Sequence, residues 1–206
     1  MDQAVRTSKE LLDAGVRVLR EQGAAHLTLR RVAEAAGTST MGIYTCFGGR
    51  AGLLEAIYLH GFHALRDALT AALAPCHDPV DRVMAVAAGY RAFALADPSL
   101  FALMFERPLP DFDPSPELRR EALGLTFHLL ADAVEAAGLG RPGEPDRAAY
   151  LVWTTIHGIV GIELTHALRS PLPGWFLDSR EEGERVLTEG VRALLSGLRD
   201  QANTSC

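Results

Sequence analysis

Cysteine is scarce in this chain of 206 residues: three are present, Cys46, Cys76 and Cys206, and they lie far apart. The number is odd and the spacing fits no zinc motif, so neither a disulfide framework nor a structural metal site is expected. No apolar run reaches the ~18 residues that indicate a transmembrane helix, and the first residues lack a secretory signal pattern. The sequence therefore predicts a protein without a membrane span, located in the reducing cytoplasm.

Lysine is also nearly missing, since one lysine stands beside nineteen arginines, and the net charge is −6. This acidic balance excludes a general binder of polyanions. The charge is uneven, however: residues 1–55 carry seven basic and six acidic side chains, whereas the other residues carry thirteen basic and twenty acidic ones. A nucleic-acid surface is therefore expected only in the N-terminal quarter, which has a net charge of +1.

Strand-like alternation of apolar and polar residues is almost absent, while apolar residues recur at helical spacing along the chain. Asp78-Pro79, Asp97-Pro98 and Ser115-Pro116 each place a capping residue before a proline at the first helical position. The sequence predicts an all-α fold of about nine helices. The first helix ends near Gly23, and the others span about 29–36, 40–47, 50–74, 78–96, 98–105, 115–137, 145–169 and 179–198. Prolines and a glycine at 170–174 break the chain between the last two.

Two short helices joined by a glycine-containing turn, at about 28–47, have the frame of a helix-turn-helix. Small and apolar residues such as Ala33 and Ile43 are expected to pack the two helices together. The side chains left outside are Ser39, Thr40, Met41, Tyr44 and Thr45. Each of these, taken singly, is also explained as a helix cap or an ordinary surface residue. Together on one face they favour contact with phosphates and base edges.

The segments RVAEAAGTS at 31–39 and IYTCFGGRAGLL at 43–54, preceded by a capping Thr28, carry a family pattern. Over about residues 9–57 the sequence resembles the TetR family of one-component transcriptional repressors. Two positions depart from the usual pattern. Arg50 replaces the lysine that follows the recognition helix, and Met41-Gly42 replaces a small pair, so the operator sequence is not transferable from relatives.

The resemblance implies a role for each position of the DNA-binding surface. Thr28 and its amide would hold a phosphate, Tyr44 and Arg50 would bind the backbone, and Arg30 and Arg31 are either further phosphate contacts or solvated surface charges. The base-facing set would be Thr40, Met41 and Thr45, with Ser39 at the start of the helix. The implied organisation is an N-terminal DNA-binding domain of three helices at 1–50 and a C-terminal effector-binding and dimerisation domain at 51–206.

The segment YLVWTTIHGIVG at 150–161 resembles the Trp-His-Gly signature of a subset of TetR-type C-terminal domains. Its apolar residues occupy two sides of the predicted helix, so the helix is expected to be buried on two sides. The last helix carries a further apolar stripe, and these two helices from each of two subunits would form a four-helix bundle. The residues predicted to form this homodimer interface are Gly158, Gly161, Leu187, Val191, Leu194 and Leu198.

An effector cavity is expected among the C-terminal helices. The side chains predicted to line it are Tyr90, Phe101, Met104, Phe105, Phe127, Trp153 and His157. Core packing is the alternative for the aromatic residues, and for His157 the alternative is a buried histidine bonded to a neighbour. His60 and His63 lack acidic or cysteine partners nearby in the sequence, so no metal site is predicted there.

The leading hypothesis is therefore a repressor that binds double-stranded palindromic operator DNA and is released by a small apolar or aromatic effector of unknown identity. No catalytic residue, cofactor or metal is predicted. One alternative is a TetR-like protein that has lost operator binding and acts through a protein partner. The other is an all-helical enzyme that uses His157 or Glu163 as an acid or base, although no phosphate loop, nucleophile elbow or paired-carboxylate motif supports it.

Overall fold

The computed structural model describes residues 2–141, 144–166 and 179–204. Within these ranges the chain forms nine α-helices, one 3₁₀ turn and no strand, so the predicted all-α fold is confirmed. The helices are α1 (Asp2–Gln22), α2 (Leu29–Ala35), α3 (Thr40–Phe47), α4 (Arg50–Leu73), α5 (Pro79–Ala96), α6 (Pro98–Phe105), α7 (Pro116–Ala136), α8 (Pro145–His166) and α9 (Arg180–Thr204). The predicted break at 170–174 lies outside the described residues.

The helices begin where the sequence supplies capping oxygens. A carboxylate oxygen of Asp78 accepts the N–H groups of Val80 and Asp81 at the start of α5. Asp97 does the same for Leu100 at the start of α6, where Pro98 occupies the first turn. These bonds satisfy amide groups that the first helical turn leaves without a partner. The predicted Asp-Pro starts of α5 and α6 are thus confirmed.

Packing divides the chain into two compact units, each with its own apolar core. The first comprises Met1–Ala64 and Asp97–Leu123, and the second comprises Leu65–Ala96 and Gly124–Cys206. Fully buried side chains in the first include Leu11, Ile43, Ile57, Phe62 and Phe101. Those in the second include Val83, Val152, Ile156, Val160 and Val191. The predicted boundary at residue 50 between a DNA-binding and an effector-binding domain does not coincide with this division by packing, and it stays a prediction.

Two features are absent from the part of the chain that the structure describes. None of them combines the length and apolar character that crossing a membrane requires. Among the described residues, no three histidine, cysteine, aspartate or glutamate side chains are grouped as metal ligands would be.

Candidate nucleic-acid interface and effector site

The second helix of the predicted helix-turn-helix is α3. Its inner face is buried against the protein, and its outer face is exposed. Ile43 is completely buried, and Val32 and Ala33 on α2 are buried as well. In contrast, 69% of Met41 and 56% of Tyr44 are exposed. These two side chains are three positions apart and so lie on one face of the helix, and exposed apolar groups that are clustered rather than scattered are typical of a binding surface. The outer face of α3 is therefore free to contact a partner.

The hydroxyl groups of this surface are distributed around the same face. Ser39, Thr40 and Thr45 are exposed. Ser39 occupies the N-cap position of α3, but within the described residues its hydroxyl makes no capping bond, so capping does not explain it. The Thr45 hydroxyl donates to the Met41 carbonyl at 3.0 Å, and its oxygen keeps the capacity to accept a further hydrogen bond.

Thr28 has a structural role of its own at the start of α2. Its Oγ1 accepts the backbone N–H of Arg31 at 3.4 Å, so Thr28 is the N-cap that the sequence predicted. Because the positive end of the helix dipole lies here, an anion is favoured at the same place. Thr28, Arg30 and Arg31 are all exposed, as a phosphate contact would require.

The turn after α3 fixes the spacing of the two predicted backbone contacts, Tyr44 and Arg50. Gly48 and Gly49 have φ values of 72° and 125°, a region in which other residues are strained. Gly49 is buried beneath the Tyr44 ring, and a Cβ atom at this position would lie 3.3 Å from Cε1 of the ring. The Tyr44 ring thus packs on the turn that precedes Arg50.

The predicted arginines are paired within the free protein. Arg30 Nε donates to Glu34 at 2.9 Å, and this bond raises the pKa of the Arg30 guanidinium. Arg31 donates to the side-chain oxygen of Gln22. Arg50 forms an ion pair with Asp111, which lies between α6 and α7. Sequence reasoning missed Asp111 because it stands 61 positions away from Arg50.

The residues predicted to line an effector cavity fall into two groups, of which the first, in the first compact unit, is Phe101, Met104 and Phe105, and the second, in the second unit, is Tyr90, Phe127, Trp153 and His157. Phe101 and Met104 are buried in the first unit. The ring of Phe105 lies 4.9 Å from Phe101 and 5.3 Å from Phe62, measured between centroids. These contacts give the three residues of α6 a core role. Phe127 is half-buried on α7.

The second group joins α5 to α8 through a chain of polar contacts. The Tyr90 hydroxyl lies 2.8 Å from Nδ1 of His157. Burial raises the pKa of Tyr90 well above its ordinary value, and a smaller opposite effect comes from the Trp153 N–H, which donates to the Tyr90 oxygen. The Trp153 and His157 rings lie 5.7 Å apart. A protonated Tyr90 is thus placed to donate to His157, and the three residues form one cluster, here called the Tyr90 cluster.

The same two helices, α5 and α8, are also joined by a buried ion pair that the sequence analysis did not predict. Arg91 of α5 donates to both carboxylate oxygens of Glu163 on α8, at 2.7 and 2.6 Å, and to the Arg180 carbonyl at the start of α9. Glu163 raises the pKa of Arg91 further, so the guanidinium stays charged. Gly183 makes room for the pair, since a Cβ atom there would lie 2.3 Å from Glu163 Oε1.

The residues predicted to form the dimer interface differ in how far the protomer itself already covers them. Leu187, Val191 and Leu198 are buried within the protomer itself, so core packing accounts for them. Leu194 is half-buried. By contrast, a Cβ atom added to Gly158 or Gly161 would meet nothing within 4 Å. The two glycines lie on a face of α8, here called the outer face, whose other exposed members are Tyr150, Leu151, Thr154, Ile162 and Thr165.

Both parts of the chain match described protein families. Residues 11–57 match the bacterial regulatory proteins of the tetR family. Residues 83–195 match the tetracyclin repressor-like C-terminal domain. The HTH-type transcriptional regulator Rv1816 of Mycobacterium tuberculosis is 23% identical over 197 residues, which cover 79% of this chain and 82% of that protein.

Solved structures that share the fold include the following two. One, from Rhodococcus sp. RHA1, is described as a protein with unknown function; it is 28% identical, has a TM-score of 0.73, and the match covers 93% of this chain and 95% of the other. The fatty acid degradation regulator FadR of Bacillus halodurans is 17% identical with a TM-score of 0.70, over 93% and 96% of the two chains. At 17% identity, the similarity to FadR shows only that the two proteins share a fold.

Proposed function

Because the chain belongs to the TetR family of bacterial transcriptional regulators, we propose that it represses transcription by binding palindromic operator DNA as a homodimer until a small effector releases it. The observation that carries this proposal is the outer face of α3, where Met41 and Tyr44 are exposed beside three hydroxyl side chains. A recognition helix needs such a face, since its apolar and hydroxyl groups contact base edges in the major groove.

The proposed contacts divide into two classes. The residues proposed to hold the phosphates are Thr28, Arg30, Arg31, Tyr44 and Arg50. Ser39, Thr40, Met41 and Thr45 would face the bases. Contacts of the first class position the protein on DNA without reading the sequence, whereas the second class sets the sequence preference.

Substitutions in the two classes are expected to change binding in different ways. Tyr44→Ala and Arg50→Ala should weaken binding to every sequence, and Arg50→Ala should also reduce the slope of log K against log salt by about one per lost contact. Met41→Ala and Thr45→Val should instead alter the preferred bases, by ~1–3 kcal/mol for each lost contact. Fluorescence anisotropy on duplexes selected by the wild-type protein from a random library measures both effects.

Arg120→Ala on α7 is the matched control, because Arg120 is an exposed arginine outside the proposed surface. It should leave affinity and preference unchanged. If the wild-type protein selects no sequence from the library, operator binding is wrong and the protein-partner alternative gains support. Uniform weakening by all four substitutions would remove Met41 and Thr45 from the base-reading set.

The homodimer is proposed to form through the outer face of α8. Gly158 and Gly161 leave a shallow path on which a second backbone can approach, and exposed Tyr150, Leu151 and Ile162 supply apolar contact beside it. Large exposed apolar patches are characteristic of interfaces. A two-fold axis would match the symmetry of a palindromic operator.

The effector is proposed to bind at the Tyr90 cluster of the second unit. Trp153 and Tyr90 offer aromatic surface, while the hydroxyl and imidazole groups give polar partners for one end of an apolar molecule. The FadR neighbour is named for fatty acid degradation, so acyl compounds are included among the trial ligands. Since α4 contributes residues to both units, we propose that a shift of this helix transmits binding to the helix-turn-helix.

Ligand binding should be visible in the fluorescence of Trp153. A Trp175→Phe background leaves Trp153 as the single tryptophan, and a panel of fatty acids and aromatic compounds is titrated against it. A bound ligand is expected to weaken operator binding by roughly 5–150-fold, the usual range of allosteric coupling. Tyr90→Phe should weaken ligand binding while leaving ligand-free operator affinity unchanged. Tight ligands that do not alter operator affinity would exclude this mechanism.

The enzymatic alternative loses one of its two candidate residues. Both carboxylate oxygens of Glu163 accept hydrogen bonds from Arg91 inside the protein. A general base must reach the proton that it removes, and this carboxylate is already committed to an ion pair. These bonds support a structural role for Glu163.

A further inference from the structure

We propose that Asp111 is a built-in competitor of the operator for Arg50: it holds the guanidinium in the DNA-free protein and must release it before Arg50 binds a phosphate. The inference rests on the proposed operator binding and adds an acidic residue that sets its strength. The ion pair joins Arg50 Nη1 to Asp111 Oδ2. The Asp111 side chain is 64% exposed and that of Arg50 is 32% exposed, so water and DNA both have access to the pair.

Asp111 is held in place by its chain neighbours. Leu109 and Phe112, on either side of it, are both buried. The Phe112 ring packs edge-on against Tyr58 of α4, with 6.0 Å between the centroids. Because Arg50 begins the same helix, the segment that carries Asp111 is fixed relative to the arginine. The pair is therefore part of the packed structure of the first unit.

Further contacts hold this connection between α6 and α7. Asp113 forms ion pairs with Arg107, at 2.6 Å, and with Arg119. Arg119 Nε also donates to the Pro114 carbonyl at 2.9 Å. Arg107 adopts a φ of 52°, which a non-glycine residue keeps only where its surroundings impose it. A connection with this many contacts keeps the Asp111 carboxylate beside Arg50.

The competition has two components. Arg50 must exchange a carboxylate for a phosphate, and the carboxylate that remains repels the same phosphate. An exposed ion pair changes an equilibrium constant by a factor of about two to five. Since each dimer engages two half-sites, the factors multiply, and removal of the Asp111 charge is expected to tighten operator binding about four- to twenty-fivefold.

The test is a double-mutant cycle on a labelled duplex selected by the wild-type protein from a random library. Asp111→Asn, Arg50→Ala and the double variant are compared with wild type by fluorescence anisotropy across a salt series. Asp113→Asn is the matched control, because it removes the same charge two residues away while its partners are Arg107 and Arg119. Asp111→Glu restores the charge and should restore wild-type affinity.

The expected result is tighter binding and a steeper salt dependence for Asp111→Asn, a smaller effect for Asp113→Asn, and no effect of Asp111→Asn when Arg50 is alanine. Equal tightening by the two asparagine variants, or an Asp111→Asn effect that persists without Arg50, would show a general charge effect and overturn the proposal. Wild-type affinity for Asp111→Asn would overturn it while leaving operator binding intact. Failure of the wild-type protein to select any duplex would overturn both.

Discussion

Ile162→Glu is expected to convert the proposed dimer to a folded monomer and to abolish operator binding. Ile162 is exposed on the outer face of α8 in the protomer, so the substitution leaves the protomer core intact. In a two-fold dimer the glutamate would be buried twice at the subunit contact. An unpaired charge in such a place costs several kcal/mol per copy, enough to dissociate an ordinary dimer at micromolar concentration.

Operator binding fails with the dimer for a geometric reason. The two recognition helices must enter successive major grooves about 34–36 Å apart, and a monomer contacts one half-site only. The affinity that remains should fall towards the non-specific level. Sedimentation velocity gives the assembly state, and anisotropy on the selected duplex gives the affinity.

Two further variants separate dissociation from misfolding. His128→Glu places the same charge on an exposed position of α7 and should leave both readouts unchanged. Val191→Glu introduces a charge at a completely buried position of α9 and should unfold the protomer. A folded Ile162→Glu variant that sediments as a dimer would show that the subunits meet elsewhere.

The α9 residues illustrate what apolar periodicity in a sequence can and cannot predict. The spacing of Leu187, Val191 and Leu198 correctly indicates that one face of α9 is buried. Periodicity does not identify what covers that face, because a core in the same protomer and a partner subunit select the same residues. The two glycines of α8 are a different kind of signal, and the interface that they suggest stays a prediction. A glycine in a helix interior is unfavourable, and here the space beside each one is open.

The same limit explains which polar contacts could be predicted. Thr28, Asp78 and Asp97 bond amides two or three residues away, so the local sequence contains the whole interaction. Asp111 meets Arg50 across 61 positions and Arg91 meets Glu163 across 72. Such pairs depend on the tertiary arrangement, and a single sequence carries no mark of them.

Removing one partner of the buried Arg91–Glu163 ion pair is expected to destabilise the protein strongly. Arg91→Met removes the guanidinium and keeps a shorter, unbranched apolar side chain. It leaves the buried Glu163 carboxylate without the two hydrogen bonds from Arg91 and frees the Arg180 carbonyl of its bond. Breaking one partner of a buried pair typically destabilises a protein by ~3–5 kcal/mol. Urea denaturation at fixed protein concentration measures the change, since dimerisation contributes to stability.

Glu163→Leu in the Arg91→Met background is expected to recover most of this loss. Both charges are then absent, and desolvating two ions no longer opposes folding; apolar replacements of buried ion pairs are often neutral or stabilising. The stability that is not recovered is lost at the Arg180 carbonyl, which lacks its hydrogen bond, and beside Gly183, where the space left by the missing side chain fits the carboxylate better than a leucine. Arg185→Met is the control, because Arg185 pairs with Glu182 at an exposed position of α9 and should change stability by less than ~1 kcal/mol. A double variant as unstable as Arg91→Met alone would mean that the arginine acts through packing or the Arg180 carbonyl rather than through the charge of Glu163.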